Sequence, residues 1–280
     1  MKAAVERRAP WETLGASFPA GITAEESLEK AGLNYEVGIT NALVQLPVHD
    51  YDTITVPFPR KRVTYRKDTF TPLGFVGDRY RVLQHEEVLP LLDALTGTGW
   101  TPLCGGTLKG GAVGWLVGSL PYYPKSGEFE PNLAVMNSFD LSSGLRFANT
   151  PLRPVCNNAV QLMMRGAKSS FVLKHSKHME LRFEEARAAL KIAVAYAKKL
   201  DEEIERLLEV KVELPEARKL VNHIIPVHNV DVVMSERTIK LREEKQDDII
   251  RHWLTSETIE DIRFTGWGWV NALNETVSYT

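Results

Sequence analysis

Four short constellations in the chain hold residue types that do chemistry. His175-Ser176-Lys177-His178 spaces two imidazoles three residues apart, which would put both on one face of a helix. Zinc asks for more ligands, and no acid or cysteine adjoins the pair, whereas Lys174 and Lys177 beside it suit an anion. Glu209-Val210-Lys211, with Asp201 upstream, has the Glu-x-Lys order of many metal-dependent nucleases. The same order arises by chance in charged helices, and Asp201 falls in the same helical run rather than at the start of a neighbouring strand. Lys109-Gly110-Gly111, after Gly105-Gly106-Thr107, has the lysine in the wrong order for a Walker loop and precedes β-favouring residues, so it predicts a hairpin turn. Cys156 stands beside Asn157 without an ordered histidine and acid, which predicts a buried thiol rather than a nucleophile. No catalytic residue, metal ligand or cofactor site is assigned from these patterns.

Charge is the stronger signal. The chain has a net charge of -2, so no global basic bias announces a polyanion. Regionally, residues 60–81 carry seven Lys and Arg against two acids, and residues 146–182 carry seven against one. Residues 183–262 hold 18 acids against 13 Lys and Arg. Segregation of this kind lets one face track phosphates whatever the total charge, although Lys and Arg on edge strands also serve to discourage aggregation. Aromatic residues lie among or near the basic positions, Tyr65, Tyr80, Trp100 and Trp115 among them, and unpaired bases stack on such rings; strand aromatics are more often core.

The elements that would position these residues follow from periodicity. Residues 1–34 read as an N-terminal arm ending in a short helix, where Thr23 precedes Ala24-Glu25-Glu26 as a cap precedes early acids. Residues 35–210 read as an α+β core. Residues 35–66 predict short strands punctuated by Pro47, Pro57 and Pro59, and residues 73–83 predict a hairpin. Helical spacing through Val88, Leu91, Leu92 and Leu95 stops at Gly97-Thr98-Gly99. Apolar runs at residues 100–103, 114–120, 133–137 and 145–150 predict strands, and residues 157–164 a helix. From 181 to 208 an apolar stripe at spacings of three and four predicts a long amphipathic helix, and residues 211–280 predict a helical C-terminal part. The fold class expected is α+β, a twisted antiparallel sheet backed by helices.

Two cysteines without a close pair exclude a disulfide framework and suit a reducing cytoplasm, and no apolar run is long enough to span a membrane.

Several segments taken in order carry a resemblance: Pro10-Trp11 with Leu14-Gly15; Leu73-Gly74-Phe75-Val76-Gly77-Asp78-Arg79-Tyr80-Arg81-Val82-Leu83-Gln84; Thr150-Pro151-Leu152-Arg153-Pro154-Val155-Cys156-Asn157-Asn158; Lys174-His175-Ser176; and Trp269-Val270-Asn271-Ala272. Together they resemble the phage- and plasmid-associated family catalogued as a domain of unknown function, DUF 932. The family's usual His-Gly after Pro-Trp is here Glu12-Thr13. The family runs on past the Trp/Asn segment, which implies that this chain lacks a tail. The order of helix, Gly99-Trp100, strands with a glycine hairpin and a further helix is also similar to the core of single-strand annealing proteins, of the Red-beta/RecT and the eukaryotic recombination-mediator types.

The function these readings imply is ATP-independent binding and annealing of single-stranded DNA by a homo-oligomer, a ring or filament, in the cytoplasm of a bacterial host. Arg79, Arg81, Lys109, Arg146, Arg153, Arg165, Lys168 and Lys174 are the expected phosphate contacts, and Tyr80, Trp100 and Trp115 the expected stacking faces. Asn157 and Asn158 are expected to cap a helix or to bond phosphates. The rival readings are a metal-dependent nuclease or other nucleic-acid enzyme, and a noncatalytic phage accessory or defence-related protein that works through protein contacts along residues 181–208.

Overall fold

The computed structural model describes residues 15–49, 52–149, 170–173, 183–227 and 234–278. After a short strand, β1 (Ala16–Ser17), helix α1 (Ala24–Lys30) starts as its sequence dictates. The Thr23 hydroxyl accepts from the Glu26 N–H at 3.1 Å while the Glu26 carboxylate accepts from the Thr23 N–H at 2.9 Å, closing a capping box.

The residues expected to make several short strands make two long ones, β2 (Val37–His49) and β3 (Asp52–Arg66), paired antiparallel. The prolines do not break them because, among the described residues, β2 is an edge strand and the Pro57 and Pro59 stretch of β3 has no partner on its other side. Residues 73–83 are not a hairpin. Only β4 (Pro72–Gly77) is strand, and it pairs back on β3 to complete a three-stranded sheet, while the following residues carry Tyr80, Leu83 and His85 into the interior. One face of this sheet is anchored: the Thr64 hydroxyl donates to the Phe139 carbonyl at 2.7 Å, and a Cβ on Gly74 would lie 2.5 Å from the Asp140 Cα.

A 3-10 turn at Glu86–Val88 leads into α2 (Leu89–Thr96), and the chain then lays down β5 (Thr101–Leu108), β6 (Val113–Ser119), β7 (Asn132–Ser138), β8 (Leu145–Asn149) and β9 (Ser170–Leu173). With β1 these form a six-stranded antiparallel sheet in the order β1-β5-β6-β7-β8-β9. The Lys109-Gly110-Gly111 turn joins β5 to β6, with φ of 53°, 66° and 99° at its three residues, a left-handed path that glycine takes without strain. Alternation sends Leu116, Leu133, Val135, Leu145 and Phe147 to one face, where α1, α2 and the long helix α3 (Phe183–Glu209) cover them. Trp115, Val117, Ala134 and Met136 form a second cluster on the other face.

The α+β class, the sheet backed by helices, the long amphipathic helix and the helical C-terminal part are therefore all present. The last comprises α4 (Leu214–Ile224), α5 (Glu236–Thr255) and α6 (Gly266–Ser278), with a core of its own around Trp253. The Trp253 ring meets Trp269 and Phe264 edge-on, each at 5.6 Å between centroids. Leu208 and Trp267 pack against both this core and the main one. The helix expected over residues 157–164 lies outside the described residues.

Candidate nucleic-acid interface

The expected stacking residues are in the interior. Trp100 is fully buried and its indole N–H donates to the Leu133 carbonyl at 3.2 Å; Trp115 is buried in the second cluster; the buried Tyr80 hydroxyl donates to the Ser138 carbonyl at 3.0 Å. A large ring on a strand or beside one stabilises the fold most when its whole area leaves water, and here that demand takes all three. None of them offers a face to a base, and their assignment as stacking residues is corrected on that ground.

The expected phosphate contacts divide. Arg81 is ion-paired with Glu87, and Lys109 with Asp140 at 2.8 Å. Arg146 is half-buried on β8, on the same face as Met136, and its Nε has no hydrogen-bond partner among the described residues. Arg79 is exposed and forms no ion pair among the described residues. Arg153, Asn157, Asn158, Arg165, Lys168 and Lys174 lie outside the described residues, as do His175 and His178.

Sorting the first basic segment in the same way leaves Arg60, Lys61, Arg62 and Arg79 without an ion pair among the described residues, whereas Arg66 holds Asp68 at 2.6 Å and Lys67 holds Glu36 at 2.5 Å. Arg66 is further committed, with its guanidinium 4.0 Å from the centre of the Tyr35 ring. Lys61 lies opposite Gly77 in the β3–β4 register, and Arg79 follows two residues later.

Beside these free charges the three-stranded sheet turns an aromatic face outward. Thr64 and Val76 point into the body, so Lys61, Val63 and Tyr65 point away from it, with Phe75 directly across from Val63. Phe75 is 66% exposed and Phe70 77%. Phe70 stacks on Tyr65, with centroids 6.5 Å apart and planes 12° from parallel. Tyr65 lies over Gly38, where a Cβ would come within 2.4 Å of its Cζ. Phe70 holds φ at +56° and Arg60 at +58°, a left-handed backbone that costs a non-glycine residue on the order of 1–2 kcal/mol. Two large exposed rings, one of them stacked on the half-buried Tyr65, beside unpaired cations are the parts of a stacking platform with an electrostatic rim.

Sequence reasoning did not single out Phe70 and Phe75. The signal in Gly74-Phe75-Val76-Gly77 is the alternation, and it is ambiguous until pairing shows that Val76 faces inward.

Of the residues of the nuclease alternative, Glu209 and Lys211 are exposed and Asp201 is engaged otherwise. Asp201 is buried and accepts from the Tyr122 hydroxyl at 2.7 Å, the Ser126 hydroxyl at 2.6 Å and the Lys125 and Ser126 N–H groups at 2.8 and 3.1 Å. Burial works to raise its pKa, but the hydrogen bonds from Ser126, Tyr122 and the backbone outweigh it and hold the carboxyl below its ordinary value. Both oxygens are committed to the loop between β6 and β7. Among the described residues no group of three or more His, Cys, Asp or Glu is placed to hold a metal ion, and no helix is long and apolar enough to cross a membrane.

A family model described as Domain of unknown function (DUF932) matches residues 72–279, most of the chain, and the chain belongs to that family. The match takes in β4 with Phe75 and Arg79 and begins after β2 and β3. No curated protein and no solved structure matches the chain.

Proposed function

We propose that this DUF932 chain binds single-stranded DNA on the outward face of its three-stranded sheet, and that it promotes annealing there without ATP, in the cytoplasm of a bacterium that hosts phage or plasmid DNA. The observation that carries the reading is exposed Phe75 and the stacked Phe70–Tyr65 pair on the face to which Lys61 points, with Arg60 next to Lys61 in the chain, Arg79 two residues past its partner Gly77, and no ion pair to any of the three among the described residues. Such a face holds bases by their planes and the backbone by its charge, which suits unpaired strands of any sequence and leaves a duplex, whose bases are already stacked, with the charge contribution alone.

The test is fluorescence anisotropy with labelled single- and double-stranded oligonucleotides over a salt series. Single strands are expected to bind more tightly than duplex, with an affinity that falls as salt rises. Phe75→Ala and Phe70→Ala should each weaken single-strand binding by about 1–3 kcal/mol per base unstacked. Both side chains are exposed, so thermal stability should change little. Absence of salt-sensitive binding at low ionic strength, or equal binding by the two alanine variants, overturns the proposal. Annealing is then read from the rate at which complementary labelled strands pair with and without the protein, nucleotide omitted.

A further inference from the structure

The distal half of the β2–β3 pair is an arm with one face apolar over most of its length. Val44 pairs with Val56 and Leu46 with Ile54, and strand alternation adds Val48 and Phe58 to the same side. Leu46, Val48, Ile54 and Phe58 are 44–51% exposed, and none of the six belongs to a buried core cluster of the described residues. The arm is set off from the body by a large bulge. Between the pairs Asn41–Arg62 and Leu43–Pro57, Ala42 on one strand faces four residues on the other, among them Arg60 in its left-handed conformation. The only charge that alternation places on this side of β3 between residues 52 and 58 is the acid Asp52, at the tip, so the face gives a polyanion nothing to bind.

The same chain carries a second unpartnered apolar stripe. On α3 the side turned away from the core shows Ala188, Ile192 and Tyr196, at intervals of four, with Ile192 54% exposed. Lys191 and Lys199 flank it and are exposed. The two surfaces match in length and in charge. Seven residues of β-ribbon, 42–48, span about 20 Å, and α3 from 188 to 199 spans about 17 Å. Residues 43–58 contain Asp50 and Asp52 and no Lys or Arg, whereas the helix stripe is rimmed by lysine. An exposed apolar β-ribbon is a liability in an isolated molecule and a docking element in an assembly.

We infer that the apolar face of the β2–β3 arm docks on the Ala188–Ile192–Tyr196 stripe of α3 in a second copy of this chain. The contact joins two different surfaces, so each copy keeps one arm and one helix stripe to offer, and copies add until the assembly closes. This inference stands apart from the nucleic-acid reading, since it uses none of the same side chains.

The experiment is light scattering on the full chain, on Ile54→Asp (arm) and on Ile192→Asp (helix), with circular dichroism to confirm that both exposed-site variants fold. The wild type is expected to have the mass of a dimer or larger species, and each variant alone that of a monomer. An equimolar mixture of the two variants, one of them tagged, should regain a dimer, because the intact arm of the helix variant fits the intact helix of the arm variant. A monomeric wild type overturns the inference, as does either variant that stays assembled. A mixture that stays monomeric overturns it too, since the intact arm of one variant would then have failed to find the intact helix of the other. Flotation of a monomeric wild type with phosphatidylglycerol vesicles, lost in Ile54→Asp, would assign the face to lipid instead.

Discussion

At the scale of single residues the interior holds one group whose protonation is tied to folding. His85 is buried, meets Tyr35 and Phe139 edge-on at 5.1 and 5.0 Å, and has an Nε2 with no hydrogen-bond partner among the described residues. Burial, and after it the charge of Arg66, pushes its pKa down from 6.5 to about 3. The folded chain thus keeps His85 neutral where the unfolded chain would protonate it. Its contribution is fully present above pH 6.5 and is lost as pH falls from there towards 3, at up to about 1.4 kcal/mol per pH unit. At pH 5 the loss amounts to about 2 kcal/mol. Urea unfolding at pH 7 and pH 5 measures it against His85→Phe, which keeps a ring in the same contacts and has nothing to protonate. The wild type should lose more stability than the variant over this interval, and equal losses would mean that His85 is solvated or paired on folding.

At the scale of elements, what the sequence makes legible is local. The capping box at Thr23, the stripe of α3 and the stop after α2 are written in residues three or four apart, and each forms where its spacing predicts. Pairing is not local. Pro47, Pro57 and Pro59 read as interruptions because their tolerance depends on which strand edges stay empty, and Phe75 and Trp115 are equivalent strand aromatics until the register sends one out and the other in. The basic segment at residues 60–81 was legible as a whole, but which of its charges are free depends on acids such as Glu36 and Glu87 brought to it by the fold. Asp201 shows the same limit: in sequence it stands near Glu209, and in the structure it serves the loop between β6 and β7. Asp201→Ala would leave four donors of that loop without their acceptor. A loss of about 3 kcal/mol or more is expected in urea unfolding. Limited trypsin digestion should show faster cleavage at the exposed Lys125 of the loop. Unchanged cleavage there would mean that the loop is held by something other than this carboxylate.

At the scale of the whole molecule, segregated charge decides what a salt titration will read. The chain as a whole is weakly repelled by a polyanion at a net charge of -2, so attraction must come from a region whose cations are not already paired. Lys61 on the aromatic face meets that condition, as do Arg60 beside it in the chain and Arg79 just past its partner Gly77, whereas Arg81 and Lys109 are held by acids. If each of the three neutralises one phosphate, together they account for about 2 units of the slope of log K against log salt, at about 0.7 per contact on a single strand. Replacing all three with alanine should flatten the slope by that amount, and Phe75→Ala should lower the affinity at every salt concentration while leaving the slope alone. The two signatures separate charge from stacking on one face. A triple variant with the wild-type slope would move the DNA path off the three-stranded sheet.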